Sequence, residues 1–405
     1  MKHSMLRRSI AALLASLVTL AVAQESLRPE VGKPLQAAHD LVKAGRYKEA
    51  LAKIRDADAV GGKSANENFV IERMRMAAAS GAGDADTAAR SYDAISGSSK
   101  ISASDKLKMV ESIAGSYYRA REYSKSMQWS QRYFRDGGTS PAIRTMLIQS
   151  QYLGGDFAGA AKELNAEVAA TEKAGGTPGE DRLKLLLNAA LKLNDTNGYV
   201  HAVEKLVTYY PKKEYWVDLL SRLQRKSNFS DRFALDVYRL SLATGSMSAP
   251  GDFMEMAQLA LQAGFPFEAR QVLDKGFGAK ILGLGADAAR QQRLRDLVQK
   301  TLDEDKKTLV ADESQARSAK DGTALVNVGM NQVFNGEKAK GLDLMQQGIA
   351  KGNLKRTEDA KLHLGVAQVQ AGDNAKALAS FKSVGGSDGS ADLARLWALH
   401  LRRKA

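Results

Sequence analysis

The sequence predicts an all-α fold, a solenoid of antiparallel helix pairs, and three observations predict it. Helix-forming Ala, Leu, Lys and Gln dominate, proline is confined to 7 positions, and strand-like Val/Ile alternation is hard to find. Six glycines, Gly45, Gly83, Gly155, Gly264, Gly336 and Gly372, are spaced by 38, 72, 109, 72 and 36 residues. Those are close to one, two, three, two and one periods of about 36, inside the range of helical repeats. Residue types also recur around each glycine. Five residues on lie Ala50, Ala88, Ala160, Ala269, Gly341 and Ala377, all small. Nine residues on lie Ile54, Tyr92, Leu164, Leu273, Met345 and Phe381, all large and apolar. A left-handed glycine ends the first helix, a small residue lets the second approach it, and the bulky residue one turn later fills the core.

The chain of 405 residues exceeds what one compact core supports, and at 44% apolar it can bury one repeat after another. Its first 23 residues read as a secretory signal peptide. Lys2, Arg7 and Arg8 precede an apolar run at 10–23, and Ala21-Val-Ala23 is a small-x-small cleavage site. The run is short for a spanning helix, which needs about 20 residues. The mature chain is expected to begin at Gln24, in the periplasm of a Gram-negative cell; an uncleaved N-terminal anchor is the alternative. There is no cysteine, which excludes disulfides, thiolate chemistry, Cys-ligated metal and lipid attachment at the cleavage site. Loss of Lys2, Arg7 and Arg8 takes the net charge from +13 to +10, spread along the chain. Such a surface suits acidic proteins or anionic lipid heads, or serves solubility. A periplasmic address argues against nucleic acid.

An N-terminal array of repeats is expected over 24–286. Ser64-x-x-Glu67 and Thr177-x-x-Glu180 read as capping boxes, and Pro141 and Pro250 suit a first helical turn. Another unit is phased by Arg121, which stands where the turn glycine would be, between Ala114 and Ser126. Units near 181–210, with an insertion near Asn197-Gly198, and near 213–244 are degenerate. Residues 287–321 are charged with sparse apolar positions and read as a long exposed connecting helix. The remainder, 322–405, reads as a pair of repeats closed by a solvating cap helix at 391–403 that carries Leu393, Leu396, Trp397 and Leu401 at helical spacing.

This pattern resembles the tetratricopeptide repeat, best at 38–57 and 364–384, over most of 31–384. The resemblance implies a right-handed superhelix with the first helix of each pair lining a concave face. On that face it places Tyr118, Gln149, Tyr152 and Lys192, side chains suited to holding a protein or peptide partner. The segment Tyr210-Pro-Lys-Lys-Glu-Tyr-Trp216, with repeats on either side, is similar to periplasmic tetratricopeptide proteins that accompany TonB–ExbB–ExbD systems. That likeness implies an accessory role in energised outer-membrane transport and association with envelope membrane complexes.

Chemical motifs fail their structural preconditions. Gly283-Leu-Gly285 mimics a dinucleotide fingerprint, but no strand precedes it, so a turn between helices is expected. Gly385-Gly-Ser387-Asp-Gly389 matches a nucleophile elbow, yet a repeat helix precedes it, and nothing places His363 or His400 in a triad. His3, His39, His201, His363 and His400 show no metal spacing. The aromatic cluster at 209–216 reads as repeat core rather than a ligand box. The function expected is a non-catalytic scaffold with no cofactor and no metal. The alternatives are an envelope-assembly or secretion factor and, less favoured, a hydrolase.

Overall fold

A computed structural model describes residues 27–402. The signal peptide, its cleavage after Ala23 and the expected N-terminus at Gln24 lie outside the described residues. Among those residues there are 20 α-helices and no strand, so the all-helical array of paired helices is what the structure shows. They divide into two compact units. One reaches Pro178 and takes in Leu185–Thr196; the other comprises Gly179–Lys184 and the chain from Asn197 onward.

The first unit holds four hairpins: α1 (Pro29–Lys43) with α2 (Tyr47–Asp58), α3 (Ala65–Ala82) with α4 (Ala85–Ile95), α5 (Ala103–Arg119) with α6 (Tyr123–Arg135), and α7 (Pro141–Leu153) with α8 (Phe157–Lys173). Three of these four hairpins follow the glycine spacing. Gly45, Gly83 and Gly155 have φ of 73°, 81° and 86°, the left-handed conformation that ends a helix. Arg121 takes the same turn at φ 62° without being glycine. Behind these turns Ala50, Ala88, Ser126 and Ala160 are fully buried, and Ile54, Tyr92 and Leu164 fill the space beside them. The Ser64 capping box forms: Ser64 Oγ accepts from Glu67 N–H at 3.1 Å, and Glu67 Oε2 accepts from Ser64 N–H at 2.8 Å. Arg28 forks onto the same carboxylate and, with Ser64, draws it down to about 2.

Helix α9 (Glu180–Lys192) begins later than its expected box. Its first bonds run from Arg182 and Leu183 N–H to Gly179 O. Thr177 is therefore not the cap, and Glu180 is drawn instead to Lys212 at 2.6 Å, and to Lys184 and Tyr215. Asn194 (φ 55°) makes the next turn, into α10 (Thr196–Tyr209). Bulky Tyr199 stands five residues on, where the spacing requires a small residue. The division between compact units falls here, inside the span 24–286 that the sequence reading treats as one array.

The second unit continues with α11 (Lys213–Gln224), a 3-10 turn (Asp231–Phe233), α12 (Ala234–Thr244), α13 (Pro250–Gln262), α14 (Pro266–Gly278), α15 (Ala288–Ser318), α16 (Thr323–Phe334), α17 (Lys338–Lys351), α18 (Thr357–Ala371), α19 (Asn374–Lys382) and α20 (Ser390–Arg402). The charged segment is α15, one 31-residue helix that packs on α14 and α16 through Leu294, Val298 and Leu302. In the pair α16/α17 two glycine contacts bring backbones together: Gly322 meets Gly348, and Gly329 meets Gly341, where any Cβ would strike the facing carbonyl. The spacing of seven on both helices keeps both contacts on one seam.

Helix α20 is not a solvating cap. Its Leu393, Leu396, Trp397 and Leu401 are buried, because α20 packs on α18 and α19 and returns to α12. A circuit results, α12 to α13, α14, α16, α18, α20 and back to α12. Polar contacts fasten the closure: Ser230 N–H donates to Asp388 O at 2.9 Å, Lys226 pairs with Asp392 at 2.8 Å, and Arg232 forks onto Asp359 at 2.9 and 3.0 Å.

Candidate functional site

Two places concentrate polar side chains where their setting demands an explanation. The first lies along the first helices of unit one. Helices α1, α3, α5 and α7 touch one another in sequence. On α5 the face 111, 115, 118, 119 recurs at helical spacing, opposite the core residues Met109, Val110, Ile113 and Tyr117. Gly115 leaves this face without a side chain; a Cβ there would sit 3.7 Å from Met146 Cε of α7. Around that floor stand four polar groups. Tyr118 Oη donates to Gln149 Oε1 at 2.9 Å. Arg119 donates to Ser116 Oγ at 2.9 Å and meets no carboxylate. Glu111 makes no ion pair. Arg119 reaches solvent, yet protein surrounds it closely enough to desolvate the guanidinium and lower its pKa. Burial likewise pushes the Glu111 and Tyr118 groups up.

The residues proposed from sequence distribute accordingly. Tyr118 and Gln149 are brought together, half-buried, across α5 and α7. Tyr152 is half-buried at the end of α7, its ring edge-on to Phe157 at 5.3 Å. Lys192 is exposed in the last turn of α9, and no contact joins it to the other three.

The second place is a buried ionic cluster in unit two. Arg239 of α12 forks onto Glu268 of α14, Nε to Oε1 at 2.7 Å and Nη2 to Oε2 at 2.6 Å. Its Nη1 donates to Asp236 at 2.8 Å, and Asp236 also holds His363 of α18 at 3.1 Å. Arg239, Asp236 and Glu268 are all nearly inaccessible. Burial opposes the Arg239 charge, but Glu268 and Asp236 outweigh it and hold the guanidinium above its usual value. Burial alone would raise Asp236; His363 and Arg239 overcome it and bring it down to about 2.

No protein-family model matches the sequence, and no curated protein matches it. Among solved structures, the crystal structure of the yeast Tom70 aligns over 92% of this chain and 96% of that one, at 10% identity and a TM-score of 0.25. At that score the likeness adds nothing to what the helices show by themselves.

The remaining sequence motifs are structural. Gly283 and Gly285 lie in the turn between α14 and α15, with φ of 85° and 73°, and Gly283 N–H donates to Gln291 Oε1 at 2.6 Å. Ser387 lies in the loop between α19 and α20, where its carbonyl accepts from Asn228. His363 is engaged with Asp236, and His400 lies edge-on to Trp216 and Trp397. Trp216 is core. Among the described residues no group of His, Cys, Asp and Glu could hold a metal ion, and no helix is long and apolar enough to cross a membrane.

Sequence reading missed Glu111 and Arg119, although their spacing from Gly115 and Tyr118 puts them on one face. It also missed the ionic cluster. A local signal existed: Asp236 and Arg239 interrupt the buried positions Leu235, Val237 and Leu240 of α12. Their partners, 29 and 127 residues away, carry no such mark.

Proposed function

We propose that this protein is an exported, non-catalytic scaffold that binds a protein partner along the row of first helices in unit one. One observation carries the reading: Glu111 and the solvent-reaching Arg119 stand without an ion partner on the face of α5 that Gly115 leaves bare, beside the Tyr118–Gln149 hydrogen bond. A charge held that way gains from a ligand that supplies its counterpart. Successive first helices touching one another supports a row that bends with those helices inward, the surface repeat proteins use for recognition. Tyr118 and Tyr152 add aromatic surface of the kind that anchors interfaces.

The periplasmic address, the mature start at Gln24 and an accessory role beside a TonB-type transport system complete the proposal. They rest on the signal-like N-terminus and on the segment 210–216. A photo-crosslinking residue in place of Tyr152 tests it in cells, with Val310 on the exposed face of α15 as control. The expected result is a discrete adduct from position 152 and none from 310, on a chain whose intact mass begins at Gln24. Adducts with an envelope-assembly or secretion component would select that alternative instead. Equal labelling at both positions would remove the groove reading.

A further inference from the structure

Unit two holds a cavity of about 320 Å3, lined from α12, α13, α14, α16, α18 and α20. Small-molecule sites commonly start at about 300 Å3. Its polarity changes with depth. Met256, Val366 and Trp397 line the inner end with apolar surface, and all three are buried. The mouth is polar. There Gln370 donates to Gln271 Oε1 at 2.9 Å, and Gln271 donates to Phe334 O at 2.6 Å, so the rim is braced. Lys275 stands exposed on the same lining, one turn along α14 from Gln271.

The charges on the lining decide which occupant fits. Three ionisable side chains line the cavity: Arg239, Glu268 and Lys275. The first two answer each other. Arg239 forks onto both Glu268 oxygens at 2.7 and 2.6 Å and gives a third bond to Asp236. Lys275 has no such partner, and the adjacent carboxylate, Asp274, is already held by Arg270 and Arg295. The uncompensated charge on the lining is therefore one cation, at the mouth, where its long stem lets the ammonium stay in water. A charged head drawn to the inner end would give up its hydration with no free counter-charge to replace it. An apolar tail gains by leaving water there. A head left at the mouth stays hydrated and meets the Lys275 charge, which attracts an anion and repels a cation. We infer that this cavity binds a small amphipathic anion, its short apolar tail against Met256, Val366 and Trp397 and its negative head at the mouth beside Lys275. This site is separate from the protein-binding face proposed for unit one, and neither depends on the other.

Octanoate, octanol and octylammonium share one tail and differ in head, so they separate the contributions of the two ends. Methionine methyl groups labelled with 13C report on the inner end, and Met256→Leu identifies the Met256 signal by its loss. At low ionic strength, below micelle formation, octanoate should bind saturably by calorimetry and shift the Met256 methyl over the same concentration range. Its affinity should exceed that of octylammonium by at least about tenfold. Lys275→Gln, a change at an exposed position, should weaken octanoate about three- to fivefold, the size expected of an ion pair in water, and leave octanol unaffected. Lys275→Glu should place octylammonium ahead of octanoate. Ala243→Phe, at a half-buried position on the lining, should abolish binding of all three by filling the space. Failure of octanoate to saturate, or a Met256 methyl that stays put while it binds, overturns the inference. So does octanoate affinity no greater than that of octylammonium, undiminished in Lys275→Gln, or surviving in an Ala243→Phe protein whose circular dichroism is unchanged.

Discussion

Arg121 shows how far a single position can depart from the repeat rule and still be read. It occupies the left-handed turn that glycine fills in the neighbouring hairpins, and its side chain is exposed. That conformation costs an L-residue about 1–2 kcal/mol, whereas glycine's freer unfolded chain costs about 0.4–1 kcal/mol. Arg121→Gly should therefore raise stability by about 0.5–1 kcal/mol, seen as a higher urea midpoint at unchanged slope. Asn194→Gly should gain less, since asparagine tolerates this region. Asp236 belongs to the same scale. Its folded pKa of about 2 lies below the ordinary carboxylate value near 3.8. A depressed acid stabilises the fold above its unfolded pKa, and that contribution is lost as pH falls through the folded one. Unfolding midpoints should thus decline between about pH 4 and pH 2. Asp236→Asn should flatten that slope and, by leaving Arg239 short of a buried counter-charge, cost about 3–5 kcal/mol at neutral pH. A variant as stable as the parent would show that the cluster is not the anchor its burial implies.

At the scale of helices, the sequence was legible wherever steric need leaves a mark. Gly45, Gly264 and Gly372 mark turns because only a residue lacking Cβ enters a left-handed turn without strain, and all three have positive φ. Small-residue slots were readable for the same reason, with Ala50, Ala269 and Ala377 fully buried. What faces each slot was not readable. Gly365 lies under the ring of Phe381, nearer than Ala377, because the bulky residue one turn on leans back over the gap. The close approach between backbones occurs instead in α16/α17, at Gly329 and Gly341. Gly341→Ala should cost about 1–3 kcal/mol, since the clash is with a carbonyl that cannot rotate away. Ala377→Trp should cost at least as much in the α18/α19 pair. Thermal melts of the two variants decide this; unchanged midpoints would place the helices farther apart than described. The return of α20 to α12 left no mark either, since Lys226 and Asp392 are ordinary surface charges until the chain brings them together.

For the molecule as a whole, the question is whether function resides in a surface or in a reacting group, and the two candidates make opposite forecasts. Tyr152 is half-buried on Phe157 at the edge of the first-helix row, so its removal takes away contact area without opening the core. Interface aromatics typically contribute about 2 kcal/mol or more, so Tyr152→Ala should weaken partner binding by roughly that amount at unchanged stability. Ser387 offers the contrast. A nucleophile requires a base within hydrogen-bond reach, and the nearby histidine on α18, His363, is committed to Asp236. The contact that places Ser387 in its loop uses its carbonyl, which any residue carries. On the proposed scaffold reading, Ser387→Ala should therefore fold and leave partner capture and transport at the parent's level. His363→Ala is not a neutral control, because it strips Asp236 of a partner and should lower the stability of unit two. The comparison is made in cells lacking the gene, with partner capture and transport measured for the Tyr152 and Ser387 variants side by side. Normal capture with Tyr152→Ala would dismiss the groove while leaving the scaffold. Loss of function with a folded Ser387→Ala protein would replace the scaffold with a hydrolase, since an exposed loop hydroxyl matters to a surface only if it touches the partner.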